Sequence, residues 1–179
     1  MGSSVLAPRL YDNEGRTAWG AIFGGTFVYV AFMSTFGLML SSAIFSSYGW
    51  TSLGFVIWNS IVAIISLYIA ARATSHLARI SDPSIGMWHG LVTFGLSFVA
   101  TALILGLALA TAAPYSIRAA GNTNVAGNLI SVTASGGWAL WCAMFLGFIA
   151  AAIGGSQAAA ANVAAMHAAE PPAEIRRVA

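Results

Sequence analysis

Arg72 to Gly95, RATSHLARISDPSIGMWHGLVTFG, is the densest polar stretch in the interior of a very apolar chain, and its reading decides the architecture. It is the only interior run with two arginines, an aspartate and two of the three histidines. Within it Ser81-Asp82-Pro83 breaks helix, because the ring of Pro83 disfavours α geometry at Asp82. Long apolar runs lie on both sides, so the stretch reads as the connection between two membrane hairpins.

Working outward, Trp19 to about Phe45 is an uncharged run, long enough for a hydrocarbon core that needs about 20 helical residues. Residues 46–50 form a polar and aromatic turn, and Leu53 to Ala71 is apolar again, ending at Arg72. After a loop over 72–86, a third run spans Met87 to Ala113 and stops at Pro114. Tyr115 to Ser135 is rich in asparagine and glycine and reads as a long outer loop able to hold a short interfacial helix. A fourth run covers 136–155, and helix continues through Ser156 to Ala169 until Glu170-Pro171-Pro172. The expected organisation is a tail over 1–18, a four-span domain over 19–155 (spans 19–45, 53–71, 87–113, 136–155) and a helical extension with a tail over 156–179.

Composition points the same way. Of 179 residues, 59% are hydrophobic and 7% charged, against about 25% charged in a soluble domain. The expected class is an all-α integral membrane protein of four transmembrane helices. All seven basic residues are arginines, and no basic stripe with interleaved aromatics suggests nucleic-acid binding. The single cysteine, Cys142, lies in an apolar run and reads as a small hydrophobe. Met1 to Arg16 has no apolar core of signal-peptide type, so the first span is expected to act as its own insertion signal.

Arginines near span ends mark the cytoplasmic side. Arg9, Arg16, Arg72, Arg79, Arg176 and Arg177 fall in the tails and central loop, against only Arg118 in the other two loops. The reading is a multi-pass protein of the bacterial inner membrane with both termini cytoplasmic. Trp19, Trp50, Trp88 and Trp138 fall at span ends as interfacial anchors, whereas Trp58 and Trp141 sit deeper.

The halves align on each other. Gly20 and Gly25 fall on Gly90 and Gly95, and Gly54 and Trp58 fall on Gly137 and Trp141. Two parallel helical hairpins related by a pseudo-two-fold axis along the membrane normal are the architecture that such a repeat implies.

Arg16-x-x-Trp19-Gly20-Ala21-Ile22, Trp58, and Asp82 followed by His89-Gly90-Leu91-Val92-Thr93 resemble a group of small bacterial membrane proteins labelled "PhnA-like" or hypothetical. The resemblance covers about residues 16 to 105 and implies a multi-span inner-membrane protein. It brings no activity and no functional residue with it.

Small residues recur four apart at Gly20 and Gly24, Gly86 and Gly90, and Ala151 and Gly155. In lipid this spacing lets helix backbones approach, within the bundle or toward a partner. Gly20 and Gly24 are expected to pack against the third span at Gly90 and Gly95. His76 and His89 flank the central loop as candidate haem or metal ligands, but no second carboxylate or His-x-x-His completes a set. The plainer reading is histidines that bond Asp82 or backbone carbonyls. Asn59 and Gln157 are the strongest polar side chains near the spans, and no Asp, Glu or Arg falls inside any expected span, which argues against a proton-coupled carrier. No G-x-S-x-G elbow or acid and base set points to an enzyme.

These features together suggest a structural or accessory subunit of a larger membrane complex, such as a photosynthetic or respiratory one. Its partners would be the bilayer and other membrane subunits, with no catalytic or metal residue and no cofactor beyond room for a bound lipid or pigment. The alternative is a homo-oligomeric channel or facilitator for small neutral solutes.

Overall fold

The computed structural model describes residues 17–39, 52–119 and 125–169, with side chains described chiefly over 17–37, 57–104 and 141–168. All of its regular structure is helical. Helix α1 spans Trp19–Phe32 and continues into a π-helical segment, Met33–Met39. Helix α2 is Ser52–Leu77, α3 is Pro83–Ala119 and α4 is Val125–Ala169. Four segments are long and apolar enough to cross a membrane: Trp19–Gly37, Ile57–Leu77, Pro83–Ile104 and Trp141–Ala168.

The helices run up, down, up and down. Thr74 of α2 meets Thr93 of α3, Gly86 of α3 meets Gly155 of α4, and Ala18 at the start of α1 meets His89 of α3. Helices α1 and α3 are therefore parallel, as are α2 and α4. Helix α2 touches the other three, whereas α1 and α4 make no contact among the described residues. Hence α2 and α3 form the middle of the bundle, with α1 and α4 on opposite sides.

Three boundaries differ from the sequence reading. The expected loop over 72–86 narrows to residues 78–82, because α2 continues through Arg72 to Leu77 and α3 already starts at Pro83. Helix α3 runs past Pro114 to Ala119; a proline loses one backbone bond, which a membrane helix tolerates where neighbouring groups satisfy the freed carbonyl. The expected outer loop over 115–135 is mostly helix, since α4 begins at Val125, and residues 120–124 lie outside the described set. Asparagine and glycine each cost a helix only up to about 1 kcal/mol relative to alanine, too little to stop it alone.

The turn between α2 and α3 explains why both helices end where they do. Arg79 has φ 52°, in the left-handed region, and the Ile80 N–H bonds Ser75 O while the Arg79 N–H bonds His76 O. This pair of bonds is a Schellman motif, which satisfies carbonyls that the last turn of α2 leaves open. Three residues on, the Asp82 carboxylate accepts the Ser84 N–H at 2.7 Å, and Pro83 occupies the first helical position, where its missing N–H costs nothing.

The interior is small and hydroxyl-rich. Its largest fully buried side chains are Ile22, Thr74, Thr93, Ser66, Ser75 and Ser97, while Phe23, Phe27, Trp141 and Phe145 point outward. Lipid is as apolar as leucine, so burying large aliphatic groups gains little, and close backbone packing with hydrogen bonds takes that role.

Candidate functional site

Two polar assemblies occupy the end of the bundle that carries the α2–α3 turn. The first is a seam where α1, α2 and α3 meet. His89, Thr93, Ser97 and Thr101 recur every fourth residue of α3, which sets them along one side of the helix. The Thr93 hydroxyl lies 2.8 Å from His89 O and 2.9 Å from Thr74 Oγ1, which itself lies 3.0 Å from Ala70 O. Two hydroxyl protons thus serve three contacts: one threonine bonds its own helix and the other bonds its partner. Farther along, Thr101 Oγ1 approaches the Tyr29 hydroxyl at 3.1 Å and Ser97 O at 2.9 Å. Ser97 Oγ lies between these pairs in sequence and is fully buried, with no hydrogen-bond partner among the described residues.

His89 is buried at the head of this seam. Its Nδ1 lies 3.0 Å from Ile85 O, and its Nε2 accepts the Ala18 N–H at 3.3 Å. A carbonyl can only accept and a backbone amide can only donate, so the proton sits on Nδ1 and the ring is neutral in this arrangement. No side chain caps α1 at Ala18; the His89 imidazole serves the adjoining amide from across the bundle. Asp82, expected as a histidine partner, instead caps α3 through Ser84. The motifs beginning at Trp19 and at His89 therefore meet in space.

The second assembly lies between α2 and α4. Tyr68 donates its hydroxyl proton to Gln157 Oε1 at 2.7 Å and accepts from Arg72 at 3.1 Å. Beyond it, His76 Nδ1 lies 2.7 Å from Asn162 Oδ1, and Asn162 Nδ2 donates to Ser75 O at 3.2 Å and Ile80 O at 2.8 Å. The amide orientation of Asn162 is set by its two carbonyl acceptors, so His76 donates from Nδ1. His76 and His89 are taken up by separate partners and share none. Arg72, which the sequence placed beyond the second span, lies inside the apolar segment Ile57–Leu77.

The glycines sort differently from expectation. A Cβ on Gly20 or on Gly95 would meet nothing within 4 Å, so neither forms the expected contact between α1 and α3. Gly24 would meet Leu77 of α2 at 2.9 Å. Gly25, which the spacing did not single out, is the residue of α1 that abuts Thr74, Ala70 O and Thr93. Gly90 packs on Ala151 O, and Gly86 and Gly155 pack each on the other's carbonyl, so the small-residue pairs of α3 and α4 interlock. The repeat alignment thus equates an exposed glycine with a buried one twice, Gly20 with Gly90 and Gly25 with Gly95. The hairpins are parallel, but the aligned glycines do not have equivalent surroundings.

Trp19 and Trp88 are both exposed near the turn end, as interfacial anchors are. Trp50 and the side chain of Trp138 lie outside the described residues. Trp58 donates its indole N–H to Phe36 O in the π-helical segment at 3.0 Å, and Trp141 stacks on Phe145. Among the described residues no three His, Cys, Asp or Glu side chains gather as a metal set. Asn162 and Ser97 escaped the sequence reading; for Ser97 the four-residue recurrence from His89 to Thr101 was the available signal. No protein-family model, curated protein or solved structure matches the chain.

Proposed function

We propose that the protein is a structural or accessory subunit of a larger membrane assembly, such as a photosynthetic or respiratory complex, in the bacterial inner membrane with both termini cytoplasmic. The observation that carries this reading is the outward aromatic face of α4, where exposed Trp141 and Phe145 stack with planes 3° apart and centroids 6.0 Å apart. Rigid aromatic surface of this kind suits a helix of another subunit. The inward polar groups support the same reading, because His89, Thr74, Thr93 and Asn162 are engaged in bonds that hold the helices together. The placement of arginines supports the orientation.

A facilitator for small neutral solutes is the second reading, favoured by the unpartnered hydroxyl of Ser97 within the seam. One experiment separates the two. A photo-crosslinking residue is placed at Phe145, or at Ser97, in the full-length protein in its native membrane. The subunit reading expects a discrete adduct of Phe145 with one different polypeptide and none from Ser97. Self-adducts alone at Phe145, together with solute flux into vesicles holding the pure protein, would replace it with the facilitator reading.

A further inference from the structure

Arg72 is the one arginine within the four apolar segments of the described residues, and the groups around it are arranged as donors. Tyr68 OH accepts from Arg72 at 3.1 Å and gives its own proton to Gln157 Oε1 at 2.7 Å. The opposite orientation of the Gln157 amide would aim two donors at the phenol oxygen and leave the phenol proton without an acceptor. With the orientation observed, the phenol and amide oxygens each already accept a hydrogen bond. What the corner still offers is the remaining N–H groups of the guanidinium and the amide N–H groups of Gln157.

The array is held by backbone contact. A Cβ on Gly154 of α4 would lie 2.5 Å from Tyr68 O, so only glycine lets α4 come close enough for Gln157 to reach the phenol. Gln157 is exposed and Arg72 half-buried, so the donors open outward. Among the described residues no carboxylate pairs with the cation: Asp82, the only one described, accepts the Ser84 N–H. A charge inside an apolar segment calls for an opposite charge or access to the interface. The interface is near, because exposed Trp88 lies half a turn beyond Gly86, whose carbonyl faces Ser75, about one helical turn from Arg72.

We propose that this corner binds the phosphodiester of an anionic phospholipid, with Arg72 as the charged donor and Gln157 as the neutral one. A phosphodiester presents two unesterified oxygens that only accept, and the flat guanidinium fork matches them. A zwitterionic lipid brings an ammonium group that Arg72 repels, so phosphatidylglycerol should outcompete phosphatidylcholine.

The test is native mass spectrometry of the full-length protein in detergent, titrated with phosphatidylglycerol, phosphatidylcholine or inorganic phosphate. Arg72→Gln is expected to weaken phosphatidylglycerol binding about tenfold, as loss of one charge-assisted contact would. Arg72→Lys, which keeps the charge and loses the fork, should fall between Arg72→Gln and the wild type. Gln157→Leu should weaken binding by a smaller factor. Arg79→Gly removes an equal charge from the neighbouring turn and should change affinity by less than about twofold. Thermal unfolding of each variant in the same detergent confirms an intact bundle. Equal binding by the wild type and Arg72→Gln overturns the proposal, as does phosphatidylcholine binding as tightly as phosphatidylglycerol. An effect of Arg79→Gly as large as that of Arg72→Gln would reduce the site to general surface charge, and displacement by inorganic phosphate would make it a site for a soluble anion; either rejects it.

Discussion

Thr74 and Thr93 face each other with their hydroxyl oxygens 2.9 Å apart, and Gly25 of α1 lies directly against the pair. Three helices converge at this point. A Cβ on Gly25 would collide with Thr74 Oγ1 and stand 2.7 Å from Ala70 O, a backbone atom that cannot turn aside.

Gly25→Ala is therefore expected to destabilise the bundle by about 1–3 kcal/mol, the usual cost of overpacking. Gly20→Ala, with open space around its Cβ, should be neutral or stabilising by up to about 1 kcal/mol through helix propensity. Unfolding of both variants in the same detergent checks the pair; equal effects would remove the Gly25 junction from the account.

The turn gives two changes of opposite sign. Arg79→Gly relieves a left-handed residue that costs a side chain about 1–2 kcal/mol and should raise the unfolding midpoint. Asn162→Leu leaves the Ile80 carbonyl and the His76 ring without their partner in α4, and should cost about 1–3 kcal/mol.

His89→Ala removes the acceptor of the Ala18 N–H. Hydrogen exchange at Ala18 should accelerate by about fivefold, corresponding to one lost bond of about 1 kcal/mol, while exchange at the centre of α4 stays unchanged. His89→Gln should leave the visible absorption of the purified protein as it is in the wild type. Loss of a haem band in that variant would assign the ring to a cofactor.

Both termini are expected on the cytoplasmic side, on the strength of arginine placement. Reporter fusions at Ala179 and within residues 120–124 should give opposite signals. Matching signals would require an even number of crossings between them and would break the four-span topology.

The sequence alone determined the membrane class, the number of helices and the approximate position of each. Apolar length and scarcity of charge are properties of a segment by itself, and the bilayer reads them before any two helices touch. The Asp82-Pro83 start of α3 was legible for the same reason, since both residues act on their own backbone. Helix ends elsewhere were not: Arg72 and Asn128 look like loop residues by their polarity, whereas the helix backbone satisfies itself whatever side chain it carries. Which glycine meets which helix was decided only by tertiary structure. Gly20, Gly24 and Gly25 lie within two turns of one another, and a rotation of α1 by the 100° that separates neighbouring residues exchanges a buried glycine for an exposed one. That rotation is fixed by partners far away in sequence, His89 at Ala18 and Thr101 at Tyr29. Assembly likewise fixed the protonated nitrogen of His89 and the donor array around Arg72, because each depends on which groups a neighbouring helix brings within hydrogen-bonding distance.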